Sequence, residues 1–331
     1  MKFKAGMRLE GLEILEGRFM AAVERVGGSG MKQNNSGGWQ LYLTRDHVMF
    51  LHNLLGGGGD GVQCVAQFSI SLLFHDYHIS SRNADRIAFS VEPSLLHRAL
   101  RSSLSILIHS SSSSSSPFLQ MKLVKKLPAG SSRPAPFLSF ETKGQRSAVI
   151  QDVPISRPLS AADVSDLHSA LLSAQELPET LVQVPDLQQL QGLVDRLRHV
   201  GDVLSVSITR YGDLHLKLSS SSLVTLGFEF RGLRILGVQA SPLPNETSLS
   251  PQARMELAIQ RGEAMSVQVS MKHLLKSIQC HLAKPDCTFF GIAPQGACLM
   301  VIFQFFIPGT RQTDKSISLH CRIPVLDSGS N

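Results

Sequence analysis

Hydrophobic spacing changes abruptly within Pro185–Ser220. Leu187, Leu190, Val194, Leu197 and Val200 recur every three or four residues, the stripe of an amphipathic helix. Asp186 stands where an acid complements the helix dipole, and Gly201 follows the stripe as a stop. The period then becomes two: Val203–Thr209 and Leu214–Leu218 alternate across Arg210–Asp213, which predicts a β-hairpin.

The same order occurs near the start. Leu12, Leu15, Phe19, Val23 and Val26 predict a helix over Gly11–Val26, and Trp39–Thr44 and Val48–Asn53 predict two strands. Thr44-Arg45 and Thr209-Arg210 lie at matching places. A short helix is expected over Glu92–Ser102, with Pro93 in its first turn. Another is expected over Met271–Leu282, with Leu274, Leu275, Ile278 and Leu282 inward. Strands are expected at Val62–Phe68, around Asp85–Val91, at Leu104–His109, Phe118–Leu127, Pro136–Thr142 and Ser147–Ile155. In the second half they are expected at Leu223–Phe230, Leu233–Val238, Met265–Ser270, Cys287–Ile292, Gly296–Phe305 and Ile317–Pro324, with a further helix near Gln252–Gln260. Helices starting near 11, 92, 186 and 271, each followed by several strands, are the mark of an internal repeat. The chain therefore divides into an N-terminal domain, 1–155, a polar Ala/Ser/Gln-rich connector, 156–178, carrying a loose helix at Ala161–Gln175, and a C-terminal domain, 179–331.

Composition narrows the class. With 331 residues, 43% hydrophobic and 18% charged, the chain can bury two cores. Five scattered cysteines without CxxC spacing read as reduced thiols of an intracellular protein. Met1–Ala5 lacks the apolar run of a signal peptide, and no stretch approaches the ~18 apolar residues of a membrane span. A formal charge of +6 mildly favours a polyanionic partner.

Candidate chemistry is sparse. Gly56–Gly59 lacks the Gly-Lys-Ser/Thr ending of a phosphate loop. His75-Asp76-Tyr77-His78 has no activated nucleophile beside it and reads as a surface turn. Cys280-His281 with Cys287 matches no standard zinc spacing, so buried thiols are expected and no metal. Ser110–Ser116 reads as a spacer. No residues form a catalytic constellation, and no cofactor is expected.

Six blocks carry a family resemblance: Met1–Ala5 (MKFKA), Leu41–Asn53 (LYLTRDHVMFLHN), Leu95–Ser103 (LLHRALRSS), Val149–Ile155 (VIQDVPI), Leu197–Gly201 (LRHVG) and Cys280–Arg322. Together they resemble the Hus family of checkpoint clamp subunits, particularly its plant members, paralogues of proliferating cell nuclear antigen. The resemblance spans nearly the whole chain, and its departures, Gly27–Gly38, Gly56–Gly59 and the serine run, fall in loops. It implies an α+β sliding-clamp fold, two similar domains each with two helices on a curved antiparallel sheet. It further implies a non-enzymatic subunit of the heterotrimeric nine-one-one clamp, acting in the DNA-damage checkpoint, double-strand-break repair and meiosis. The implied partners are the two other Rad-family clamp subunits, an ATP-dependent loader and double-stranded DNA, with no membrane. The implied location is the nucleus and nucleolus, with a cytoplasmic pool when unassembled.

In such a clamp the helices line a central channel. That assigns Arg18 and Arg25, then His97, Arg98 and Arg101, then Gln189, Arg196 and His199, and finally Lys272, His273, Lys276 and Gln279 to DNA contact. The four helices hold eight Lys/Arg against six Asp/Glu, a weakly positive lining that suits sequence-independent, salt-sensitive sliding. Ring closure falls to two edge strands, Ser147–Ile155 (Ser147, Val149, Gln151, Val153, Ile155) and Leu223–Phe230 (Leu223, Thr225, Phe228, Phe230). Pro154 suits an edge. A homotrimeric replication clamp shares the fold and is the first rival. A metal-dependent hydrolase using His75 and His78 is the second.

Overall fold

The computed structural model describes residues 1–27, 38–55, 61–108, 118–144, 148–219, 225–240 and 249–326. The three loop departures fall mostly outside these residues, as do Ser147 and Leu223. In the first half, strand β1 (Lys2–Met7) leads into helix α1 (Leu9–Ile14), a π-helical turn (Leu15–Phe19) and helix α2 (Met20–Gly27). Strands β2 (Trp39–Leu43), β3 (His47–His52) and β4 (Gln63–Ser69) follow, then the short helix α3 (Ile70–Leu73) and strands β5 (Phe74–Ser80) and β6 (Ile87–Val91). Helix α4 (Pro93–Ile108) precedes β7 (Phe118–Lys126), β8 (Ala135–Lys143) and β9 (Ala148–Pro154). The connector forms helix α5 (Ala161–Ala174).

The second half repeats the plan. It runs β10 (Thr180–Gln183), α6 (Leu187–Leu197), β11 (Val203–Thr209), β12 (Leu214–Ser219), β13 (Thr225–Phe230) and β14 (Ile235–Gly237). Helix α7 (Pro251–Gln260), β15 (Ala264–Ser270), α8 (Met271–Ile278), a 3-10 turn (Gln279–Ala283), β16 (Cys287–Ile292), β17 (Cys298–Gln304) and β18 (Ile317–Pro324) complete it.

Sheet order exposes the repeat. The sheet β5-β1-β7-β8-β9 matches the run β14-β10-β16-β17-β18, and β6-β2-β3-β4 matches β15-β11-β12-β13. Even the corner bridges correspond, Val91 to Ile155 in one half and Val269 to Val325 in the other. The halves join where β4 pairs antiparallel with β18, from Ile317 opposite Phe68 to Arg322 opposite Gln63. This fuses one run from each half into a nine-stranded sheet.

Strand alternation sorts the helices onto two faces. Leu41, Phe50, Ala66 and Phe89 share a core with Leu12, Phe19 and Val23, with Leu96 and Leu100 of α4, and with Leu190 of α6 and Leu274 of α8. The intervening Tyr42, Met49, Leu51, Val65 and Ala88 pack beneath Val164, Leu167 and Leu171 of α5 on the opposite face. The connector helix is firmer than its polar composition suggests. Ser160 and Asp163 form a capping box at its start, Gln175 donates to Gln67, and the Tyr42 hydroxyl lies 3.3 Å from His168 Nδ1. In the turn after β11, Gly212 has φ +93°, and a Cβ there would sit 2.5 Å from the Leu233 carbonyl oxygen, so the turn requires glycine.

Several sequence expectations need correction. Leu104–Ile108 is the end of α4, not a strand: Leu107 is buried, and tertiary packing outweighs local β-propensity. His75–His78 lies within strand β5 beside β1, not in a turn. Val200 is 38% exposed because α6 ends at Leu197. Strands β1, β5 and β10 are not evident from the sequence, because β10 is only four residues long and polar residues interrupt the apolar positions of β1 and β5.

Candidate nucleic-acid interface and subunit edges

Helices α1–α2, α4, α6 and α8 lie on one face of the molecule because their apolar stripes enter the same core. Asp186 caps α6 by accepting from the Gln188 amide, and Leu187, Leu190, Val194 and Leu197 are its buried side. Met271, Leu274 and Ile278 anchor α8 in the same way. The opposite faces carry the residues that sequence assigned to DNA.

These residues fall into two groups. Arg25, Arg98, Arg196 and Lys272 are exposed, one on each helix, with no ion-pair partner among the described residues. Arg196 Nε does donate to the Gly192 carbonyl within its own helix. Gln189 and His199 are also exposed, and His273 and Gln279 are half-buried.

The remaining cations have internal work. Arg18 reaches from the π-helical turn into the other half, donating to the carbonyls of Ala283 and Lys284 and lying 5.4 Å from the centre of the Phe305 ring. His97 is only 8% exposed; its Nδ1 is 2.8 Å from Glu24 and its Nε2 3.4 Å from Glu16. Arg101 is exposed but donates to Glu16 at 2.8 Å. Lys276 is half-buried, its Nζ 3.2 Å from His52 Nε2, and burial pulls its pKa below the ordinary lysine value. Interhelix pairing thus withdraws His97 from any ligand and neutralises Arg101 in part. Sequence could not foresee this, since Glu16 and Glu24 lie 85 and 73 residues from their partners.

The edges are defined by topology. Among the described residues, β9 has a neighbour only in β8, and β13 only in β12. On β9, Val149 and Gln151 are half-buried, Val153 is buried and Ile150 is 61% exposed. Ile155 follows β9 and bridges to Val91. On β13, Leu226, Phe228 and Phe230 are partly buried against the main core, and Thr225 opens the strand. By the repeat, β9 corresponds to β18 and β13 to β4, the two strands paired inside the chain.

A partly buried cluster lies on β12, β13 and the turn before β12. Asp213, His215 and Glu229 approach closely enough to hold an ion, but Glu229 already accepts from Arg254, Arg231 and His215. Two guanidiniums at that carboxylate make it an ion-pair network unsuited to a cation.

Comparison with known proteins follows the same lines. Residues 1–311 match the family model described as Hus1-like protein. The checkpoint protein hus1 homolog of Dictyostelium discoideum is 26% identical over 185 residues, 55% of this chain and 60% of that protein. The match thus spans less than two thirds of that relative. The crystal structure of proliferating cellular nuclear antigen from Entamoeba histolytica superposes with a TM-score of 0.56 over 98% of both chains, at 9% identity. The architecture is therefore the sliding-clamp fold.

Proposed function

The chain belongs to the Hus1-like protein family, and from that premise we propose that it is a non-enzymatic subunit of a heterotrimeric checkpoint clamp. The ring would encircle double-stranded DNA at damage sites and recruit signalling and repair factors. Its partners would be the two other Rad-family clamp subunits and a separate ATP-dependent loader, and it would act in the nucleus.

One observation carries this reading. The pair β4–β18 joins the halves inside the chain, and its repeat-related counterparts, β13 and β9, each have a neighbour on one side only among the described residues. An unpaired strand edge offers backbone donors and acceptors to another chain. Two such edges on one molecule support a head-to-tail arrangement that closes into a ring. One exposed cation without an ion-pair partner among the described residues on each of these helices, Arg25, Arg98, Arg196 and Lys272, supports phosphate contact without base readout. Encirclement supplies retention, so weak affinity suffices.

Light scattering after size exclusion tests the proposal. The expected result is a mass near 36.1 kDa for the chain alone and a one-to-one-to-one complex on adding the two partner subunits. A stable species three times heavier formed by the chain alone would replace this reading with a homotrimeric clamp.

A further inference from the structure

Three of the five cysteines, distant in sequence, meet at the joint between the halves. Cys64 on β4 is directly opposite Cys321 on β18, and Cys280 sits in the 3-10 turn after α8. Cys280 Sγ is 3.6 Å from Cys321 Sγ, and all three sulfurs lie within 4.8 Å of one another. Each residue is at most 1% exposed. Three sulfurs bound at about 2.3 Å to one central ion would stand about 4 Å apart, close to the arrangement present.

We propose that Cys64, Cys280 and Cys321 form a buried trithiolate site for a thiophilic d10 cation, Zn2+ or Cu+.

The surroundings suit such an ion. The Lys276 ammonium lies 3.2 Å from His52 Nε2, and His52 on β3 is directly opposite Cys64 on β4. Lys276 lies one helical turn before Cys280. Three thiolates around Zn2+ leave one negative charge, which the Lys276 ammonium offsets inside the protein. Cu+ accepts three soft donors without a fourth, and among the described residues no fourth His, Cys, Asp or Glu joins the group. Packing alone explains an isolated buried cysteine as a small apolar filler. It gives no reason for three sulfurs from two domains to converge beside a half-buried ammonium.

Entry is governed by folding. Cys64 comes from the first half and the other two from the second, so the site exists only once β4 and β18 have paired. An ion would be captured as the joint forms and would then staple it.

The test refolds the full chain from denaturant under reducing conditions with Zn2+, or anaerobically with Cu+, followed by gel filtration and elemental analysis. The expected result is one ion per chain for one of the two metals, with metal–sulfur scattering at about 2.3 Å by X-ray absorption. Cys64→Ser and Cys280→Ser should each lose the ion, whereas Cys287→Ser, altering a thiol outside the group, should keep it. Because a serine variant could misfold, the wild-type chain is also refolded with Co2+, which should give an intense thiolate-to-cobalt absorption band. Failure of the wild-type chain to retain Zn2+ or Cu+ would overturn the proposal. So would equal retention by the folded Cys64→Ser and Cys280→Ser variants, or a Cys280–Cys321 disulfide in place of an ion.

Discussion

Arg254 of α7 and Glu229 of the edge strand β13 form an ion pair, their side chains 7% and 14% exposed. Glu229 also accepts from Arg231 at 2.6 Å and meets His215 Nε2 at 3.0 Å. This pair ties α7 to a strand that has a neighbour on one side only among the described residues. Removing one partner leaves a charge stranded in a desolvated place. Arg254→Met should therefore lower unfolding stability by about 2–3 kcal/mol, read from urea denaturation. Arg254→Met combined with Glu229→Leu should recover part of that loss.

Acid should expose the same network. Burial works against the Glu229 carboxylate, but hydrogen bonds from Arg231 and Arg254 outweigh it and hold the pKa at about 2, below the ordinary 4.5. A depressed carboxylate stabilises the fold above pH 4.5, and that contribution is lost as pH falls toward 2. Glu229→Gln should flatten the stability profile in this window.

Two histidines set a second window. Burial first, then the nearby Lys276 charge, lowers His52 to about 4; burial likewise lowers His320 to about 4, against a hydrogen bond with the Ala174 backbone. Both are neutral in the fold, while the unfolded chain takes up protons below 6.5. Their stabilising contribution is complete above pH 6.5 and declines as pH falls to 4. Each is worth at most about 3 kcal/mol at the lower limit. His320→Gln should reduce the loss of urea stability between pH 7 and pH 5; an unchanged slope would contradict the assignment.

The helix-face cations and the interhelix network should separate cleanly. Arg25, Arg98, Arg196 and Lys272 together changed to Ala should leave the fold intact. In the assembled complex they should reduce the slope of log affinity against log salt by up to ~4, about one per phosphate contact. His97→Ala should do the reverse. Losing its bonds to Glu16 and Glu24 should cost about 1–3 kcal/mol of stability without altering the salt slope.

The contrast between these residues marks how far sequence reaches. Leu187, Leu190, Val194 and Leu197 declare α6 because period and cap agree locally. Leu104–Ile108 does not declare itself helical, since only contact with the sheet decides between two acceptable local forms. Strand β5 carries His75, Asp76 and His78 because one of its sides is an edge, so alternation is blurred by polar residues. The four-helix plan was legible, but which cations remain available was not. Arg18, His97 and Arg101 find their partners across distances only the fold can close. The same holds for Cys64 and Cys321, opposed on strands from different halves.

Ring closure gives the most discriminating prediction, because each edge can be removed alone. Ile150 on β9 is 61% exposed, so Ile150→Asp should change the isolated chain's stability by no more than about 0.5 kcal/mol. Phe228 on β13 is partly buried against the core, so Phe228→Asp will cost stability and must first be shown folded by circular dichroism. A three-membered ring with one junction broken is still a linear chain of three. Either variant should thus keep the mass of the complex while abolishing its retention on closed circular DNA, which only a topological ring resists losing. Combining both substitutions removes both junctions of this subunit. The mass should then fall to that of the two partners together, with this chain eluting near 36.1 kDa. Retention of all three subunits by the double variant would mean that the junctions lie elsewhere than at β9 and β13.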